Sequence, residues 1–155
     1  MNREYIRMGK YHVTNYEQLS FDDFNQPTGL PINQNNRWVV RADNMPWHDL
    51  EKQYAMVFKS KRGPKPLPFR LVFGALMIQQ LLELTDEETL EQIKENPYLQ
   101  YFVGQPGYVY ERPFSSSTLS RARQRIGDAE VLAMVNDMEA LMAQKGINSK
   151  IGRQH

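Results

Sequence analysis

PFRLVFGALMIQQLLEL, residues Pro68 to Leu84, is the stretch on which the fold turns. Wound at 3.6 residues per turn it is apolar on most of its circumference, the mark of a helix enclosed by others rather than one with a wet face. Arg70, Gln79, Gln80 and Glu83 interrupt the run, which also falls short of the roughly 20 apolar residues that a membrane span needs. It reads as a buried core helix.

Start and stop signals frame helices on its C-terminal side. Thr85 and Glu88 stand at capping-box spacing, and the acidic side chains between them oppose the positive end of a helix dipole. A helix from Asp86 to about Glu95 follows, burying Leu90 and Ile93. Asn96-Pro97 repeats the cap-then-proline signal for a short helix with Tyr98, Leu99, Tyr101 and Phe102, ended by Gly104. GQPGYVYERP reads as a loop with a brief extended piece. Ser115 to Ser117 offer N-caps for a helix through about Ile126, Gly127 stops it, and Asp128 caps a last helix that ends at Gly146.

On the N-terminal side, SKRGPKPLP holds Gly63 and three prolines, which remove backbone donors and fix φ, so it reads as a basic loop. Before it, a helix from near Pro46 to about Phe58 puts Trp47, Leu50, Tyr54, Val57 and Phe58 on one face. Residues Met1 to about Arg41, rich in Asn, Gln and Tyr, show no sustained period and read as an irregular arm. The expected organisation is an arm over 1–41, a helical domain over 42–146 and a tail over 147–155. The fold class is all-α: a compact multi-helix domain of about six helices, with a helix-turn-helix-like basic helix and an irregular N-terminal arm.

Composition narrows the function classes. A chain of 155 residues holds one ordinary domain with tails. With no cysteine and three scattered histidines, neither a disulfide framework nor a zinc site is expected, and no other metal or cofactor is called for. MNREYIRMGKYHVTNYEQ is polar throughout and lacks the apolar run of a signal peptide, so a cytoplasmic protein is expected.

Nineteen Lys and Arg against eighteen Asp and Glu nearly cancel, but the charges are segregated. Lys59 to Arg70 carries five basic and no acidic side chains, Arg112 to Arg125 four basic and none acidic, and Glu83 to Glu95 six acidic against Lys94 alone. Such blocks make local fields that the net charge hides.

In FSSSTLSRARQRIG, Phe114 to Gly127, Leu119, Ala122 and Ile126 share one helical face while Ser117, Ser120, Arg121, Gln124 and Arg125 gather on the other. Arg123 flanks the apolar stripe. Guanidinium groups suit phosphate and the guanine edge, Gln and Ser add hydrogen bonds, and phosphate is favoured at a serine-capped helix start. A solvated surface helix is the alternative reading. Lys59, Lys61, Arg62 and Lys65 of the basic loop offer a second set of phosphate contacts. The aromatics Tyr98, Tyr101, Phe102, Tyr108 and Tyr110 could stack on bases, but at this spacing they read as packing. His48 and Asp49 have no nucleophile or metal partner beside them and read as helix surface. Val131, Met134, Val135, Met138, Leu141 and Met142 form a stripe about 120° wide that either closes the core or pairs with another chain.

Three segments in order, NRWVVRADNMPWHDLEKQYAMVF, SKRGPKPLPFRLVFGALMIQQLLELTDEETLEQIKENPYLQYFVG and SSSTLSRARQRIG, resemble the N-terminal helical domain of bacterial insertion-sequence transposases of the InsH-like DDE group. The resemblance covers about Asn36 to Gly127. It implies a module that binds the terminal inverted repeats of its element, in a nucleoid-associated setting. It also implies that strand cleavage and joining belong to a following RNase H-like domain with three carboxylates and two divalent metals. That catalytic domain is expected to be missing here, so the chain is not expected to be an enzyme on its own. One departure is local: the family's Pro-Asp-x-Ser-Thr approach to the arginine helix reads Pro113-Phe114-Ser115-Ser116-Ser117-Thr118 in this chain.

Two readings therefore stand. One is a DNA-binding module contacting element ends. The other is a protein-interaction module whose helix over 129–145 forms a homodimer or pairs with a full-length transposase. A free-standing nuclease built on the acidic cluster at Glu83 to Glu95 is the weakest, because the first turn of a helix explains those carboxylates.

Overall fold

The computed structural model describes residues 33–55 and 67–146. Its helices there are α1 (Arg37–Asn44), α2 (Trp47–Gln53), α3 (Phe69–Leu82), α4 (Asp86–Glu95), α5 (Pro97–Phe102), α6 (Ser116–Ile126) and α7 (Asp128–Gln144), with no strand among the described residues. Every residue from Phe69 to Ile78 is buried, and α2, α4, α6 and α7 all pack against α3. The all-α class and the central place of this helix are as the apolar run predicts. Each large apolar side chain so enclosed contributes about 1.5–3 kcal/mol of transfer free energy. Gly74 faces Val103, whose Cγ1 would lie 3.1 Å from a Cβ at that position. The missing side chain lets the chain leaving α5 pass close to α3. No helix among the described residues is long and apolar enough to cross a membrane.

The helix ends follow the local chemistry. The Thr85 hydroxyl accepts from Glu88 N–H at 3.1 Å, and Asn96 Oδ1 accepts from Tyr98 and Leu99 N–H. α3 stops at Glu83, which adopts left-handed backbone with φ 54°, and Leu84 N–H donates back to the Gln79 carbonyl at 3.1 Å. This closure normally favours glycine. At the α6–α7 junction, φ 92° at Gly127 meets that preference, and Asp128 is the first helical residue of α7 rather than its cap. Only glycine enters that backbone region without strain, so the junction takes the cap position and leaves Asp128 in the first turn.

The N-terminal arm needs a larger correction. Residues 37–41 are not irregular: α1 begins at Arg37, capped by the Asn36 side chain, which accepts from Trp38 N–H at 2.7 Å. Trp38, Val39 and Ala42 are buried, and the Trp38 and Trp47 rings meet Phe102 edge-on at 5.2 and 5.3 Å. Arg41, fully buried, reaches Glu139 of α7 at 2.9 Å. Burial lowers its pKa, and the Glu139 charge opposes that shift. A short, arginine-bearing helix hid its inward stripe in a polar-looking stretch. The remainder of the expected arm, 1–32, and the tail, 147–155, lie outside the described residues, as do Val57 and Phe58 of the first expected helix.

The stripe on α7 closes the core. Val131, Met134, Val135, Met138 and Met142 are buried and Leu141 is half-buried. The methionines on which pairing through the 129–145 helix would rest are covered by the chain itself. Leu132, on another face, is the large apolar side chain that α7 leaves exposed. Beyond α4 the loop toward α6 is held by one buried amide: Gln100 Nε2 donates to the carbonyls of Ile93 and Val109, while its Oε1 accepts from Val109 N–H and Gln105 Nε2. That network sets where the chain begins its approach to the basic helix.

Candidate nucleic-acid interface

α6 is fixed from its inner side. Ser115 caps it, its hydroxyl accepting from Thr118 N–H at 3.2 Å, and Leu119, Ala122 and Ile126 face the core. The outer side carries Ser117, Arg121, Gln124 and Arg125, all exposed, with Ser120 half-buried. Arg121 and Arg125, one turn apart, lie about 6 Å from each other along the axis. Neither has a hydrogen-bond or ion-pair partner among the described residues.

The other two arginines of this segment are engaged by α4. Arg112 Nη1 lies 2.7 Å from Glu87 and its Nε 2.6 Å from Glu91, and Glu91 also takes Lys94 at 3.0 Å. Arg123 pairs with Asp86, donates to Gln79 Oε1 at 3.4 Å, and sits 3.9 Å from Asp128. The acidic block is thus not a separate field. It lies across the arginine segment and takes two of its four charges. Hydrogen bonds from Ser116 and Arg112 hold the Glu87 carboxyl below its usual range, and Arg112 does the same to Glu91.

The Glu87 carboxylate, whose pKa Ser116 lowers, lies beside the first turn of α6. In the second half of the helix Arg121 and Arg125 have no carboxylate partner among the described residues.

Of the basic loop, Lys59, Lys61, Arg62 and Lys65 lie outside the described residues. Arg70, counted with that loop from sequence, is not part of any exposed basic surface. It is buried, its Nε and Nη2 donate to the carbonyls of Phe102 and Tyr101 at 2.9 Å each, and its guanidinium stacks 4.6 Å from the Trp47 ring. It closes the C-terminal end of α5, where the Tyr101 carbonyl also accepts from Gly104 N–H at 2.9 Å. No sequence signal separated it from its basic neighbours.

The aromatics divide. Tyr101 and Phe102 are buried, and Tyr98 and Tyr108 pack against the core. Tyr110 stands out at 64% exposed, with the Lys94 ammonium 4.9 Å from its ring. His48 and Asp49 are exposed on α2. Among the described residues no group of three or more His, Asp or Glu side chains is placed to hold a metal ion.

Residues 30–125 match the family model described as "Transposase domain (DUF772)". A Rhizobium meliloti protein described as "Uncharacterized protein ORF8 in nfe locus" is 31% identical over 96 residues, covering 62% of this chain and 46% of that protein. The match thus spans about half of the relative's length. No solved structure matches the chain. The family match runs from before α1 to Arg125 and contains every residue of the α6 face.

Proposed function

The chain belongs to the Transposase domain (DUF772) family, and from that premise we propose that it is a DNA-binding module that engages the terminal inverted repeats of a mobile element through the outer face of α6. The observation that carries this reading is the division of the arginines: among the described residues Arg121 and Arg125 have no partner, and they stand beside Gln124 on a helix pinned from behind. A guanidinium left without a carboxylate keeps its donors for phosphate or for a base edge, and a neighbouring amide adds a base-reading group. The role is binding. Chemistry on the strand belongs to a carboxylate-bearing domain of the transposition system, and localisation follows the DNA.

Electrophoretic mobility shift with duplexes carrying the element's ends tests the reading. Binding should weaken steeply with salt, the log–log slope changing by about 0.9 for each phosphate neutralised. Absence of a shift even at low salt would sink it. Pairing with a second copy or with a full-length transposase through the methionine stripe has lost its main support, since those side chains are buried.

A further inference from the structure

Four arginines between Arg112 and Arg125 look alike in sequence, yet α4 meets only two of them. We infer that Arg112 and Arg123 are positioning residues, held by Glu87, Glu91 and Asp86 so that α6 presents Arg121 and Arg125 at a fixed angle, and that they do not themselves neutralise phosphate. The inference rests on the DNA-binding reading and deepens it.

Three observations support it. First, the two held arginines contact α6 or its approach at opposite ends. Arg112, four residues before α6, is bound to Glu87 and Glu91. Arg123 lies in the last turn against Asp86 and Gln79. Contacts at positions 112 and 123 hold both the approach to the helix and its last turn, and restrain rotation and tilt more than one contact can. Second, both draw on one rigid support: Asp86, Glu87 and Glu91 are on α4, whose Leu90 and Ile93 are fully buried. Third, each guanidinium is already engaged by a carboxylate. Arg112 reaches two carboxylates, and Arg123 reaches a carboxylate and an amide oxygen. A phosphate would have to displace these groups while meeting the negative charge of α4.

A phosphate contact and a positioning contact differ in salt dependence. Removing the former lowers both affinity and the number of counterions released; removing the latter lowers affinity alone. Binding of the full chain to a mixed-sequence DNA duplex is measured across a salt series for the parent, R121A, R125A, R112A and R123A, with thermal melts run alongside. R121A and R125A should each reduce the slope by about 0.9. R112A and R123A should weaken binding by up to about fivefold, the equivalent of an exposed ion pair, at unchanged slope. The charge swap Asp86→Arg with Arg123→Glu should recover affinity toward that of the parent.

A loss of slope in R112A or R123A equal to that in R121A overturns the inference and leaves DNA binding intact. A folded charge-swap variant that binds no better than R123A also overturns it. A parent chain that shows no binding at low salt removes the positioning role together with the proposed function. If R123A melts before binding can be measured, the charge swap decides at that position, since it retains the ion pair; if R112A does, Glu87→Gln with Glu91→Gln decides, weakening binding if Arg112 is held in place and strengthening it if Arg112 meets phosphate.

Discussion

Helices α3 and α6 both carry arginine, and the two uses could hardly differ more. Arg70, near the start of α3, is enclosed, stacked on Trp47 and bound to the carbonyls that end α5. Arg121 and Arg125 sit on the outer side of α6 with no protein partner among the described residues. The residue type is identical and its charge is constant. What differs is the group that the fold places opposite it. An arginine facing helix-end carbonyls is structure, one facing a carboxylate is a brace, and one facing solvent is available to a ligand.

The comparison breaks most easily at Arg70. Arg70→Ala leaves the Phe102 carbonyl without its donor, takes one donor from the Tyr101 carbonyl and opens an empty space beside Trp47, and should cost about 3–5 kcal/mol of unfolding free energy. Denaturant unfolding measures it, and a loss under about 1 kcal/mol would show that water replaces the guanidinium without penalty. A smaller effect of opposite sign is expected at the end of α3. Glu83→Gly relieves the left-handed backbone at φ 54° and should raise stability by about 1 kcal/mol, read from the shift of the same transition.

The braces between α4 and the arginine segment are tested by pH. Glu87 and Glu91 have lowered folded pKa values, so their contribution is present above the ordinary carboxylate range. It is lost as pH falls through the lowered folded values. The double variant Glu87→Gln, Glu91→Gln should therefore be less stable than the parent near neutral pH and should converge with it in acid. Parallel stability curves for the two would mean that these contacts add nothing to folding. The smallest effect on folding belongs to the outer face: Arg121→Ala and Arg125→Ala should each change stability by less than about 0.5 kcal/mol. A marked drop in melting temperature for either would make them structural arginines like Arg70.

Much of this frame was legible without coordinates. The Thr85 and Asn96 caps announce themselves because a short polar side chain before a helix satisfies N–H groups within three residues. The inner and outer faces of α6 follow from a period of 3.6 over eleven residues. α1 was harder. Its inward stripe of Trp38, Val39 and Ala42 is present, but the helix is only eight residues long and its Arg41 is buried against Glu139, 98 positions away. Nothing local to Arg41 signals that pairing. The α7 stripe was legible as apolar but not as to what it would cover.

Sequence by itself determined the helices after α1, several of their ends and the inward face of α6, because capping, proline and glycine geometry and hydrophobic periodicity act over a few residues. Only the tertiary structure decided which charges remain to be used. Arg70 and Arg112 lie in basic runs that no spacing rule distinguishes from a free basic face, and the 3.6 period sets Arg123 beside the apolar stripe of α6 without naming its partner. The separation comes from α4 and α5, which bring carboxylates and helix-end carbonyls to some guanidinium groups and not to others. Electrostatic partnership depends on distance in space, and the chain order does not record that distance.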